Sequence, residues 1–382
     1  MTAVQISANH VSLLGNYHEG NFGDDALLVA CAALFKGQAQ PLSVRGNIAY
    51  KDARLSGLRS EKNVTGSPNL IVYGGGTQFF SFNSTDTVPD PLQPRRKVLV
   101  QKLLSPSSVV SSIRTRMRRA RLQHVPKIAI GIGVGPFNDA ASAEVAAALL
   151  RRMAFVWVRD ALSEEFCRSN GVENLVVSAD LCFTDAFAGM VHRPRDRRQT
   201  GGQASRVGII LRDWGTLDAR FFQRQIAAAQ KLRTLGHKVQ FLALSPHDEM
   251  YLSEMAAANE EVHVWNAEED KLERFWEVIG NQDLVITSRF HGAIFSLLSR
   301  TPFIAIEIEP KLRNLRTVVP ELAAFAVSPS VDADHLCTLA EALLAHREQT
   351  APALERALSR QCMNARRGEQ ALATFLESEK GQ

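Results

Sequence analysis

The sequence predicts an α/β protein of two domains, and three features carry that expectation. Short, largely apolar runs alternate with longer segments whose apolar residues recur at helical spacing. Residues 191–206 are Arg, Pro, Gln, Thr and Gly with almost nothing apolar, which is how a linker reads, and they divide the chain into halves with the same grammar. Glycine or arginine repeatedly follows the apolar runs. Such alternation implies mostly parallel sheets covered on both faces, whose strand ends form ligand crevices. The expected architecture is therefore a pair of Rossmann-like domains facing a central cleft.

In the first half, residues 11–14, 70–73, 127–132, 155–158 and 175–177 read as buried strands. The first is followed by a helix with a stripe at Leu27, Leu28, Cys31, Leu34 and Phe35. In the second half, strands are expected at 207–211, 239–244, 262–265, 284–286 and 303–306. A helix spans 221–235 and is closed by Gly236; another begins near Ser288 and runs to Leu298. Residues 351–377 read as one or two helices, expected to pack back across the hinge. The domains are placed at 1–190 and 207–350, joined by the linker 191–206 and followed by a helical segment, 351–382.

The chain has 382 residues, 45% hydrophobic and 22% charged, enough to bury two cores without disulfides or metals. A net charge of +4 with no basic tail or finger spacing excludes a general nucleic-acid binder. Five scattered cysteines without a C-x-x-C pair favour neither a disulfide framework nor a zinc site, so a reducing cytoplasm is expected. No segment has the basic and apolar regions of a signal peptide or the roughly 20 apolar residues of a membrane span. Two segments break the alternation. Residues 81–94, rich in Ser, Thr, Asp and Pro, read as a loop near the cleft. Arg114, Arg116, Arg118, Arg119 and Arg121 form either a solvated cationic face or a peripheral contact with anionic lipid or a diphosphate-bearing acceptor.

The chemistry concentrates where strands end. Thr287-Ser288-Arg289-Phe290-His291-Gly292 sets a cation and an imidazole at the positive end of a helix, suited to an anion that must be held and protonated. The glycine-punctuated turn from Gly15 to Asp25 also opens a helix, but Asp24 and Asp25 at its start would repel an anion. They suit helix capping, hydroxyl recognition or base catalysis, with Asn21 beside them as a substrate-binding candidate. Gly74, Gly75 and Gly76 after the second strand allow either a tight strand-to-loop turn or a close approach of backbone to ligand. Arg159, Arg212 and Lys311 follow other strands. Arg159 reads as an ion-pair partner of Asp160 or of another carboxylate, or as a fork for a ligand's carboxylate or phosphate. Gly131-Ile132-Gly133-Val134-Gly135-Pro136 misplaces the third glycine of a dinucleotide fingerprint, so no NAD is expected. No metal site is expected beyond weak recruitment by Asp24 and Asp25.

Gly20-Asn21-Phe22-Gly23-Asp24-Asp25-Ala26, Tyr73-Gly74-Gly75-Gly76, Gly131-Ile132-Gly133 with Gly135-Pro136, Val158-Arg159-Asp160 with Ser163, Ala179-Asp180, Arg289-Phe290-His291 and Pro310-Lys311 together resemble the polysaccharide pyruvyl transferase family. The match runs in order from about residue 11 to about residue 316. Each piece is unspecific; their order and spacing are not. Phe290 stands where leucine is common, and Glu307 and Glu309 flank a place where the family often carries Tyr or Ser.

The resemblance implies a glycosyltransferase-B-like pair of domains and transfer of a pyruvyl group from phosphoenolpyruvate, a co-substrate with no further cofactor, to two hydroxyls of a sugar. It implies donor binding by Arg289, His291, Arg159 and Lys311. The acceptor would be a cell-surface polysaccharide or its precursor, lipid-linked or free. His291 is expected as the acid, and Asp24 or Asp25 as the group that orients or deprotonates the acceptor. A nucleotide-sugar glycosyltransferase, its diphosphate on Arg289 and Lys311, and a non-catalytic partner in polysaccharide assembly are the alternatives.

Overall fold

The structure is a computed structural model describing residues 10–17, 19–36, 41–45, 50–81, 122–188, 204–215 and 217–378. The arginine-rich stretch from Arg114 to Arg121, the loop at 82–94, His18 and linker residues 191–203 lie outside the described residues.

Two parallel sheets form the frame. The first holds β1 (Val11–Leu14), β2 (Leu42–Val44), β3 (Leu58–Ser60), β4 (Leu70–Phe79), β5 (Lys127–Val134), β6 (Phe155–Val158) and β7 (Leu175–Val177), in the order β3-β2-β1-β4-β5-β6-β7. The second holds β8 (Arg206–Leu211), β9 (Lys238–Ala243), β10 (Val262–Val264), β11 (Leu284–Thr287), β12 (Phe303–Ile306) and β13 (Ala326–Val327), in the order β10-β9-β8-β11-β12-β13. In both, strand order reverses beside the first strand, which opens a crevice between β1 and β4 and another between β8 and β11. The inner strands are apolar because helices cover both faces: β1, β6, β11 and β12 are buried throughout.

The helices are α1 (Phe22–Leu34), α2 (Ala140–Arg151), α3 (Ala161–Ser169), α4 (Asp185–Ala188), α5 (Ala219–Thr234), α6 (Glu249–Ala257), α7 (Leu272–Gly280), α8 (Phe290–Leu298), α9 (Pro310–Arg313), α10 (Leu315–Val318), α11 (Ala333–Ala345) and α12 (Arg347–Ser378). None of the described helices is long and apolar enough to cross a membrane.

Strands β2, β3 and β13 are additions to the expected set, and one expected strand runs on into a segment read as a turn or close backbone approach. β4 continues through Gly74-Gly75-Gly76, with Gly74 opposite Ile130 and Gly76 opposite Ile132 of β5, so the triplet is strand rather than turn. Gly75 and Gly76 hold φ of 68° and 71°, a left-handed backbone that only glycine takes without strain, and pairing resumes after a register shift between Thr77 and Phe79.

The two halves dock through the start of α1, which is buried along most of its length. Phe22 N–H donates to Leu244 O at 2.8 Å, and its ring packs against Trp265, Phe275 and Phe295 of the second half at centroid distances of 5.2, 4.8 and 4.6 Å. Leu272 N–H donates to Tyr50 Oη at 3.0 Å. One apolar cluster therefore runs through both halves. From the C-terminal end, α12 contacts α8 of the second half and β6 and β7 of the first, where Gly368 lies so close to Trp157 that an added Cβ would meet its ring at 2.5 Å.

Candidate active site

The C-terminal ends of β8, β11 and β12 deliver the cations of the second half. Arg212 directly follows β8, Arg289 caps α8 after β11, His291 lies in the first turn of α8, and Lys311 lies on α9 after β12. Each cation is seated on a buried acid. Arg289 is ion-paired with Asp248 at the start of α6. Asp248 is free to do this because Asp213 caps that helix instead, accepting from Met250 N and Tyr251 N at 2.8 and 2.7 Å. Glu309 holds both Arg212 Nη1, at 3.2 Å, and Lys311 Nζ, at 3.1 Å. Burial alone would raise the Glu309 carboxyl, but Lys311 and Arg212 outweigh it and hold it low. Burial lowers Lys311 to about 8 despite that carboxylate.

The first half contributes Arg159, directly after β6. Its Nη1 lies 2.7 Å from Asp180 Oδ2, and its Nη2 donates to Thr77 Oγ1 at 3.3 Å. The guanidinium carbon sits 4.4 Å from the centroid of Phe290 in the other half, so a cation–π contact spans the cleft. Asp160 also pairs with Arg159, its Oδ2 3.8 Å from Nε, while its Oδ1 caps α3 by accepting from Ser163 N at 2.9 Å.

His291 closes the arrangement. Its Nε2 is 3.9 Å from Asp180 Oδ2, longer than a hydrogen bond. Burial lowers the imidazole to about 4; Asp180 opposes that shift, while Arg159, Lys311 and Arg289 add to it. Gly23, at the start of α1, lies directly against the ring: an added Cβ would stand 2.2 Å from Nδ1 and 2.5 Å from Cγ. Two helix N-termini from opposite halves thus meet at this imidazole, both turning positive ends toward the same space.

The two aspartates part company. Asp24 lines the cleft near Gly76, whose hypothetical Cβ would stand 3.5 Å from Asp24 Oδ1, and it interacts with Lys311, Arg289 and Arg212. Burial raises Asp24 to about 6 against the pull of those cations. Asp25 turns into the contact between the halves, where Trp265 Nε1 donates to its Oδ2 at 2.8 Å. Burial raises it to about 7, only partly offset by that bond. Neither is the helix cap: Asn21 Oδ1 accepts from Gly23 N at 2.9 Å, so the structure assigns Asn21 a capping bond. Gly74 and Gly75 face α1, because a Cβ at Gly74 would strike Tyr17 and Cys31 and one at Gly75 would strike Leu27. Of the triplet, Gly76 is the member beside Asp24.

Among the described residues, the ligand atoms of Asp180, Cys182 and His291 lie within 4.8 Å of one another. The set is poorly suited to a cation. Asp180 already holds the Arg159 guanidinium, and burial together with Asp180 pushes the Cys182 thiol well above its usual range, so it stays protonated. Of the buried side-chain nitrogens that lack a hydrogen-bond partner among the described residues, three lie in this cleft: Arg159 Nε, Arg289 Nε and His291 Nε2. Buried donors are normally satisfied, so three in one cleft mark a place for an acceptor-rich ligand.

The sequence points to the cations but gives no site role to Asp180, Asp248 or Glu309 beneath them, nor to Gly23 against the imidazole. Asp180 and Gly23 lie within the family-like motifs; Asp248 carries no local signal.

Known structures share the fold. The chain superposes on a putative UDP-N-acetylglucosamine 2-epimerase from Listeria monocytogenes with a TM-score of 0.58 at 10% identity, over 97% of both chains. A Methanocaldococcus jannaschii UDP-GlcNAc 2-epimerase, in complex with UDP-GlcNAc and UDP, gives 0.54 at 10% identity over 88% of this chain and 92% of its own. A glycosyltransferase from Rickettsia africae gives 0.54 at 9% identity over 97% and 98%. At these identities the likeness establishes the two-domain, glycosyltransferase-B-like fold and nothing about substrate. Comparison with curated protein sequences gives no significant match. The family model described as polysaccharide pyruvyl transferase matches residues 21–310, a span that holds Asp24, Arg159, Asp180, Arg289 and His291. The chain belongs to the polysaccharide pyruvyl transferase family.

Proposed function

We propose that the cleft transfers the pyruvyl group of phosphoenolpyruvate to two hydroxyls of a saccharide, forming a ketal and releasing phosphate. The observation that carries this reading is the set of buried, unsatisfied nitrogens on Arg159, Arg289 and His291, with Lys311 in electrostatic reach of the imidazole. Phosphoenolpyruvate presents a carboxylate and a phosphate a few bonds apart, and cations from both halves suit the two groups.

In the reaction, His291 delivers a proton to the methylene carbon and a saccharide hydroxyl adds to the resulting cationic carbon. Phosphate then leaves with its bridging oxygen, and the second hydroxyl closes the ketal. Two hydroxyl protons are lost; one is balanced by the new methyl group and one by the phosphate. Asp24 is the base this geometry favours, since its carboxyl near 6 is ionised at neutral pH yet still basic, while Asp25 is committed to Trp265. His291, lowered to about 4 by burial and the neighbouring cations, gains proton affinity as the donor's anionic groups offset Arg159, Lys311 and Arg289. Replacing His291 by alanine is expected to lower turnover by on the order of a hundredfold.

The fold also suits a nucleotide-sugar transferase, as the Rickettsia africae neighbour is a glycosyltransferase. That reading would place a diphosphate on Arg289 and Lys311. The products decide: phosphate released from phosphoenolpyruvate supports the pyruvyl transfer, and nucleoside diphosphate released from a sugar nucleotide contradicts it.

A further inference from the structure

We propose that Asp180 is the positioning residue of the proton donor, fixing Arg159 with its carboxylate and presenting that same negative charge, from the first half, to the His291 imidazole of the second. The inference rests on His291 being the acid of the proposed transfer.

The geometry is specific. Asp180 follows β7 and is almost wholly buried, with a side chain 2% exposed. Its Oδ1 accepts from Cys182 N at 3.0 Å, which pins the carboxylate to the backbone of the next turn. Its Oδ2 takes Arg159 Nη1 at 2.7 Å and faces His291 Nε2 at 3.9 Å. A carboxylate held this way cannot swing to the imidazole to make a hydrogen bond. What it supplies is fixed charge, which at this distance in a buried cleft favours the imidazolium.

The surroundings show why that charge is needed. The ionisable groups that act most strongly on His291 are Asp180 from the first half, Arg159 behind it, and Lys311 and Arg289 from α9 and the start of α8, with Asp24 of α1 lining the same cleft. Three of those four strongest are cations, and all three oppose protonation; Asp180 is the anion with the largest effect. The Cys182 thiol beside it is protonated and adds no charge. Donor anions would offset the cations, but they arrive with the substrate, whereas Asp180 is present throughout and is built into the half of the molecule that does not carry the histidine. Docking of the two halves therefore assembles the acid together with its counter-ion.

The test is Asp180→Asn, which keeps shape and removes charge. With selectively labelled histidine, the His291 imidazole signal is identified by its loss in His291→Gln and followed by NMR against pH. In the wild type it should titrate near 4. In Asp180→Asn its proton affinity should fall about tenfold or more, so that the signal stays neutral down to the lowest pH at which the protein is folded. A coincident titration in the two proteins overturns the proposal. In turnover of phosphoenolpyruvate, kcat should fall more than KM rises, and the limb where activity declines with rising pH should move to lower pH. If the wild type releases no phosphate, the pyruvyl transfer reading fails, yet the titration still decides the role of Asp180. If Asp180→Asn does not fold, Arg159→Met/Asp180→Asn removes that ion pair as a unit, and Asp160 keeps its hydrogen bonds from Ser163. Its His291 midpoint should still fall, because Asp180 outweighs Arg159 at the imidazole.

Discussion

Gly23→Ala isolates one contact on which the proposed chemistry depends. The new Cβ would lie 2.2 Å from His291 Nδ1, whereas ordinary contact begins at 3.4 Å, so ring and helix must separate by about 1.2 Å. The helix itself has no objection: Gly23 is not in a left-handed conformation, and alanine is the better helix former by up to about 1 kcal/mol. The imidazole cannot retreat cheaply, since it is backed by Asp180 and flanked by Arg159 stacked on Phe290. Overpacking of this kind costs about 1–3 kcal/mol, and a displacement near 1 Å in a reacting group costs on the order of a hundredfold in rate. The expected result is a roughly hundredfold fall in kcat for phosphate release from phosphoenolpyruvate, with a modest drop in unfolding free energy. A double-mutant cycle separates this from a general loss of fold. With His291→Ala, the Nδ1 and Cγ contacts vanish and only the Cβ contact at 3.0 Å remains, so most of the stability penalty should disappear. Near-normal turnover in Gly23→Ala, or an equal penalty in both backgrounds, would refute the reasoning.

Asp25 carries a pH signature. Its carboxyl is raised in the folded protein from 3.8 to about 7, so its favourable contribution is complete below the unfolded value and lost as pH rises through the folded one. Asp25→Asn should therefore gain stability relative to wild type between about pH 4 and pH 7, by at most about 4 kcal/mol in urea unfolding; a constant difference across that window contradicts the assignment. Phe290→Leu, which restores the common residue of the family, removes the ring under Arg159 and should raise KM for phosphoenolpyruvate by about fivefold, the equivalent of about 1 kcal/mol, with kcat little changed. Lys311, near 8 in the free protein, should lose charge above that pH, so donor affinity weakens as pH rises through 8 and the alkaline limb vanishes in Lys311→Arg. An alkaline limb that survives that change removes Lys311 from the donor site.

The frame was legible because buried parallel strands leave a strong trace. β1, β6, β7 and β12 occupy the residues their apolar runs predict. β2, β3 and β13 were missed: they are two or three residues long, and the mixed burial of β3 leaves no run to read. The end of β4 was misread because three glycines signal a turn, while their part in the packing of Tyr17, Cys31 and Leu27 belongs to the tertiary structure. The cations at the strand ends were visible one by one. Their acids were not, since Asp248, Glu309 and Asp180 come from separate loops and acquire partners only when the chain folds. The divergence of Asp24 from Asp25 was open to a stricter reading: adjacent residues on a helix point about 100° apart, so one cleft can hold only one of them.

The account turns on whether this cleft holds phosphoenolpyruvate. Isothermal titration of the protein with phosphoenolpyruvate, beside a panel of nucleotide sugars, should show binding of the first, weakened at least about tenfold in a folded Arg289→Ala variant, where a charge-assisted contact is lost. Binding of a nucleotide sugar alone, or phosphoenolpyruvate binding indifferent to Arg289, would contradict it.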